Sequence, residues 1–169
     1  MGLLDRLRAK NERTPAEIIF PVILKAPVGG TLAPMEAIKD PVFAEGVLGF
    51  CCGVEPIEGK VFAPVDGKVI QVADTYHAVS LETSGVEILI HVGVDTVKMK
   101  GDGFFSHVKI DQSVRAGDLL LTMDLEKIRA ANHAATVIVS VTNSEDFSSV
   151  ELIGTETVKI GDAILQINK

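Results

Sequence analysis

From Ile18 onward the chain is a series of short apolar runs broken every few residues by glycine, proline or aspartate, and this punctuation constrains the fold more than any other feature. Runs of that length suit β-strands closed by tight turns and are too short for core helices. Fifteen glycines and seven prolines supply the turns. The pattern predicts strands at Val22–Ala26, Gly30–Pro34, Val47–Val54, Lys60–Ala63, Gly67–Ala73, His77–Glu82, Val86–Val92, Leu119–Met123, Thr136–Val141 and Ala163–Ile167. One helix is expected at Leu125–His133, where Asp124 can cap the first turn and Leu125 and Ile128 share a face.

Two segments occur twice. Ala26-Pro-Val-Gly-Gly30 returns as Ala63-Pro-Val-Asp-Gly67. The stretch from Val114 to Met123 returns from Val158 to Ile167, each copy a strand, a Gly-Asp turn and a strand. The repetition points to two related layers with pseudo-twofold character, and no regular repeat runs through the whole chain as a solenoid would require. The expected fold class is all-β: an antiparallel β-sandwich of the barrel-sandwich or duplicated-hybrid-motif style, with one or two short helices.

Composition excludes several functions. The chain has 169 residues and a net charge of −7, so it lacks the basic surface that nucleic acid demands. Cys51 and Cys52 are adjacent and close no useful disulfide loop, and with no CxxC pair a cysteine zinc site is excluded. Both are expected to pack as small hydrophobes. Residues 1–10 are too short and too charged for a signal peptide or membrane span, which implies a cytoplasmic protein. Leu3, Leu4 and Leu7 beside Arg6, Arg8 and Lys10 form a small basic amphipathic turn suited to weak peripheral contact with the inner face of the membrane. A linker follows, so residues 1–17 read as leader and 18–169 as the folded domain.

The chemistry concentrates between Thr75 and Asp95. Thr83-Ser84-Gly85 reads as a three-residue hairpin loop in which Glu82 pairs Val86. That register sets His77 directly opposite His91, with Cβ atoms about 5 Å apart, and makes Val79 and Leu89 the next pair on the same face. Two facing imidazoles suit a metal site, a general acid–base couple, or a nucleophile with an anion-stabilising partner. A zinc hydrolase needs a third protein ligand, and Asp95, His107 and His133 form neither HxH nor HExxH with the pair. His107 and His133 individually read as surface residues.

These residues carry a family resemblance. Ala63-Pro-Val-Asp-Gly67, His77-Ala-Val-Ser-Leu-Glu82 and the run from Gly85 to Val97, continuing to Lys100-Gly-Asp-Gly-Phe104, resemble in order the glucose-type enzyme IIA of the bacterial phosphoenolpyruvate-dependent sugar phosphotransferase system. Asp40-Pro-Val-Phe-Ala-Glu45 is similar to that family's loop beside the active site, and Met1–Leu7 to the leader of its standalone members. The sequence departs from the family at Phe50-Cys-Cys-Gly53, where Gly-x-Gly is common. The resemblance implies a phosphocarrier on a β-sandwich with a shallow active-site depression. His91 matches the histidine that accepts phosphate from phospho-HPr and passes it to a cysteine of enzyme IIB. His77 matches the histidine that stabilises the phosphoryl oxygens, and Thr75 the hydroxyl that positions it. Val42, Phe43, Val47, Val79 and Leu89 are expected to form an apolar docking surface, with Asp40 and Asp95 at its rim.

Such a carrier needs no cofactor, although zinc could bridge His77 and His91 to a partner's carboxylate. Relatives also bind permeases and kinases, which leaves a regulatory binding module as an alternative use of the same face. A zinc-dependent hydrolase of the lysostaphin type is a second alternative, but it would call for an HxH pair and an export signal. A biotinyl- or lipoyl-type carrier would place its lysine in a Met-Lys-Met tip, which Lys98-Met99-Lys100 imitates weakly.

Overall fold

A computed structural model describes residues 19–169, so the leader and the expected domain start at residue 18 lie outside the described residues. Fourteen strands follow one another: β1 (Val22–Lys25), β2 (Gly30–Pro34), β3 (Phe50–Pro56), β4 (Lys60–Phe62), β5 (Gly67–Val72), β6 (Ala78–Thr83), β7 (Val86–Val92), β8 (Phe104–Ser106), β9 (Ser113–Val114), β10 (Leu119–Met123), β11 (Val137–Val141), β12 (Ser149–Leu152), β13 (Thr157–Val158) and β14 (Ala163–Asn168). All pairings are antiparallel. The ten expected strands are all present within a few residues of their expected ends. Four others, β8, β9, β12 and β13, are edge strands of two to four residues, too short to show alternation.

Two helices occur. Asp124 accepts from the Glu126 and Lys127 N–H groups at 3.0 and 3.1 Å and starts Leu125–Ala130 as expected, but the helix stops before the left-handed Asn132. Pro41–Ala44 is a single turn that the sequence reading missed, capped by Asp40 at the Val42 N–H, 3.0 Å away. That turn, with Gly46 and Gly49 at positive φ behind it, delays β3 from the expected Val47 to Phe50.

The duplication is built into the hydrogen bonds. Lys25 N–H donates to the Pro64 carbonyl and Phe62 N–H to that of Pro27, both at 2.9 Å. Ala26 N–H donates to the Asp162 carbonyl at 2.7 Å and Ala63 N–H to that of Asp118 at 2.8 Å. The eight-stranded sheet reads β13-β2-β3-β11-β7-β6-β5-β9, and the two three-stranded sheets read β1-β14-β12 and β4-β10-β8. The first order maps onto itself about the β11–β7 seam, which exchanges the two small sheets. The repeats are therefore not two separate layers. Each copy of the Gly-Asp hairpin runs from an edge of the large sheet into a small one.

Leu24, Leu81, Ile88, Ile90, Leu120, Leu121, Ile164, Leu165 and Ile167 fill the space between the sheets. On β7 the alternation sends Val86, Ile88, Ile90 and Val92 inward and Glu87, Leu89 and His91 outward. The neighbouring β11 is buried along its whole length. Val137, Val139 and Val141 enter the main core, whereas Ile138 joins Ile38, Phe43 and Cys51 in a small second core on the outer face.

If the two Gly-Asp turns are structural equivalents, breaking either has the same effect. The Asp118 carboxylate accepts from Arg115 N–H and that of Asp162 from Lys159 N–H, each at 2.8 Å. Asp118→Ala and Asp162→Ala should each cost about 1 kcal/mol in urea unfolding. A clear loss in one variant and none in the other would break the equivalence.

A candidate active site on the outer face of the large sheet

His91 stands on β7 in a cross-strand row with Gly53, Ile138 and Ala78. The flanking residues are small where the ring needs room and apolar where it needs a wall. Phe43, carried over the sheet by the Pro41–Ala44 turn, lies against the imidazole with ring centroids 5.0 Å apart. The His91 Nδ1 is buried without a hydrogen bond of good geometry, which leaves Nε2 as the accessible nitrogen. Past His91 the chain turns sharply: Gly93 has φ +79°, and a Cβ there would clash with Thr96 Cγ2.

His77 reaches the same site by an unexpected route. The hairpin loop is the two-residue Ser84-Gly85, both at positive φ, as a type I′ turn requires. Thr83 therefore pairs Val86, and the expected register is wrong by one residue. The residue opposite His91 is Ala78, while His77 lies opposite Val92, whose N–H donates to the His77 carbonyl at 2.8 Å. The two imidazoles nevertheless meet, centroids 5.0 Å apart and nearly perpendicular at 84°. They can do so because β6 begins only at Ala78, after a bend. Thr75 Oγ1 lies 2.6 Å from His77 Nδ1 and fixes that ring.

The register correction reassigns Val79. It pairs Ile90, points into the main core and is 1% exposed, so it cannot belong to a docking surface. Phe43 is 3% exposed and serves as a wall of the His91 pocket rather than as a docking residue. Val42 and Val47, joined by a Val47 N–H to Val42 carbonyl bond of 3.1 Å, are 44% and 66% exposed. Leu89 is half-buried against the second core. Asp40 caps the short helix, and Asp95 is exposed in a left-handed turn 4.0 Å from Lys98 Nζ. Exposed Leu48 and Val97 also belong to these rim segments and were missed. Alternation marked Leu89, but nothing in the spacing of Leu48 or Val97 distinguishes them from core residues. Cys51 and Cys52 are buried, and burial pushes both thiols up to about 12, which makes them packing groups. His107 is exposed and His133 half-buried, as surface residues should be.

Burial, with a smaller contribution from neighbouring His77, lowers the pKa of His91 to about 4. The Gly93 backbone and the carboxylates of Asp40 and Asp95 pull the other way without winning. Burial also lowers His77. Both rings are therefore neutral near pH 7, and an unprotonated nitrogen is a nucleophile. Among the described residues no group of three or more His, Cys, Asp or Glu side chains is placed to hold a metal ion, so the third ligand of a zinc hydrolase is not gathered here. Among the same residues no helix is long and apolar enough to cross a membrane.

Comparison with known proteins places this chain in the class of sugar-transport phosphotransferase components. Residues 22–147 match the family model described as phosphoenolpyruvate-dependent sugar phosphotransferase system, EIIA 1. The chain is 39% identical to the PTS system glucose-specific EIIA component of Halalkalibacterium halodurans, over 96% of this chain and 92% of that one. It is also 39% identical to the PTS system beta-glucoside-specific EIIBCA component of Dickeya chrysanthemi, over 94% of this chain and 28% of that longer protein. The solved glucose permease IIA from Mycoplasma capricolum superposes with a TM-score of 0.77 at 35% identity, over 86% of this chain and 94% of that one. The chain belongs to the EIIA 1 family of the sugar phosphotransferase system. It is a phosphocarrier in sugar uptake, a phosphotransferase component that relays phosphate between proteins. The zinc-hydrolase alternative gains no support from any of these matches.

Two measurements test the site as built. In an NMR titration of the imidazoles, His91 should stay neutral until the pH approaches 4, far below the ordinary 6.5. The unfolded chain protonates this histidine first, so its contribution to stability is present above pH 6.5 and is lost as the pH falls toward 4. A midpoint near 6.5 would show that the pocket is wet. Separately, Phe43→Glu should destabilise the protein by about 3 kcal/mol or more, because it buries a charge, whereas Val42→Glu should leave thermal unfolding nearly unchanged.

Proposed function

We propose that His91 is the residue that carries the phosphoryl group, on Nε2. The observation that supports this reading is a neutral imidazole with one buried and one accessible nitrogen, facing a second imidazole. The Nε2 lone pair attacks the phosphorus of a phosphohistidine on HPr. The new N–P bond forms as the old one breaks, and the donor imidazole leaves with the electron pair. The His91 proton stays on Nδ1 throughout. In the second step a cysteine thiolate of an enzyme IIB attacks the same phosphorus and His91 recovers its lone pair. Phosphoryl transfer of this kind asks mainly for in-line positioning and charge stabilisation, so the relay balances without a metal or cofactor.

His77 supplies the stabilisation. With Nδ1 held by Thr75, its Nε2 is the ring nitrogen free to donate to phosphoryl oxygens. Exposed Val42 and Val47 with half-buried Leu89 offer an apolar face that sheds water on docking, and Asp40 and Asp95 at its edge meet basic groups on HPr and IIB. The IIB partner is supported by relatives named EIIBCA, in which a stretch like this chain is part of a longer protein. HPr follows from the family's chemistry. The work is cytoplasmic, with residues 1–10 available for weak membrane contact, and the same face can serve regulated permeases or kinases. Zinc joins the pair only where a partner adds a carboxylate, and a titration without effect on partner affinity would remove that role.

The decisive experiment is intact-mass spectrometry after incubation with phosphoenolpyruvate, enzyme I and HPr. Wild type should gain a single acid-labile phosphoryl group and His91→Gln none. His77→Gln should accept phosphate but pass it to IIB at least about tenfold more slowly. Acceptance by His91→Gln and not by His77→Gln would reverse the two roles.

A further inference from the structure

The strand register and the imidazole geometry conflict at one place. Position 77 is opposite Val92, and the residues that continue this side of the hairpin, Val79 with Ile90 and Leu81 with Ile88, all point into the main core. A regular strand extended back through residue 77 would bury the imidazole there. Instead its ring lies 5.0 Å from that of His91, which belongs to the opposite face. Something just before His77 must turn the chain.

Tyr76 is that residue. Its φ is +59°, in the left-handed region that non-glycine residues rarely enter. Its N–H donates to the Ala73 carbonyl at 2.8 Å, and the Ala73 N–H in turn binds the Ala78 carbonyl at 3.0 Å, so the turn is closed on both sides. The Tyr76 side chain lines a different opening, a groove with Phe105, Ser106 and His107. Its contribution to the histidine pair is thus made by its backbone.

We propose that Tyr76 is a positioning residue for phosphotransfer: its left-handed backbone swings His77 out of the core-facing register and onto the face of His91, where Thr75 can hold it. The inference rests on the reading of His77 as the phosphoryl-stabilising residue. A tyrosine with a strained backbone at this point is consistent with strain placed where a reacting group must be aimed.

The test varies the backbone preference of position 76 independently of its side chain. Tyr76→Gly and Tyr76→Asn both favour positive φ and both remove the ring. Tyr76→Val resists it, and Tyr76→Ala falls between. Onward transfer from phosphorylated protein to IIB should stay within about threefold of wild type for Gly and Asn. For Val it should drop about tenfold or more, with Ala intermediate and acceptance from HPr preserved throughout. Nitrogen-15 shifts of the His77 ring report its hydrogen bond to Thr75 without any transfer reaction; they should match wild type in Gly and Asn and move in Val. His77→Gln runs beside the series. If it transfers like wild type, the role of His77 has failed, and the ring shifts alone judge the backbone. Equal behaviour of Gly, Ala and Val would overturn the proposal, as would a loss in Gly as large as that in Val, which would assign the effect to the tyrosine ring. Should the Val variant not fold, the graded Gly, Asn and Ala comparison decides by the same criteria.

Discussion

Everything about this site depends on β11 being buried on both faces. A strand in an antiparallel sheet commonly leaves one face in water, yet all five residues of Val137–Val141 are buried. Val137, Val139 and Val141 belong to the main core, and Ile138 is covered by the segment that carries Ile38 and Phe43. Because His91 is the direct neighbour of Ile138 across the β7 ladder, it inherits that cover. The imidazole is dry on one side and open on the other. Burial holds it neutral, and the opening leaves one side of the ring accessible, as the proposed phosphoryl transfer requires. A histidine two residues earlier, in place of Leu89, would sit against the second core. One two residues later, at Gly93, would have no room for a side chain.

The electrostatics follow from the same placement. Two carboxylates, Asp40 and Asp95, act on His91 in the direction that favours protonation, yet desolvation and the second imidazole outweigh them. Carboxylates in contact with solvent are screened by water, whereas a desolvated ring loses its own hydration. The acidic edge therefore lies beside His91 without converting it into an imidazolium.

The sequence was legible wherever an element was long enough to show its period. β2, β7 and β10 have their expected limits, and the Asp124 cap marked its helix correctly. The four edge strands that were not expected have only two to four residues, too few to show a repeat. Both histidines and Thr75 could be picked out, and they do come together. The path by which His77 arrives could not be read. Its expected position opposite His91 came from a three-residue loop, and the hairpin uses the two-residue Ser84-Gly85 turn. A slip of one residue exchanges the faces of a strand, so Val79 moved from the surface to the core. The histidine pair survived the slip because a bend at the strand's start counteracts it. Phe43 was placed on the right segment and given the wrong role, since nothing in its spacing shows whether a single helical turn presents its ring to water or to the sheet.

The duplication adds a last constraint. Its axis passes between β7 and β11, so a site on β7 borders both copies of the motif at once. One copy contributes His91, His77 and Thr75. The other contributes Ile138, Gly53 and the cover that ends in Phe43. A symmetric site would set the same residue on both central strands. Instead the strand bearing His91 is paired with one that supplies only shape and dryness. That division explains how a twofold scaffold can present a histidine pair on one half alone. The imidazoles occupy one half, and the central strand of the other half, buried on both faces, excludes water from their inner side.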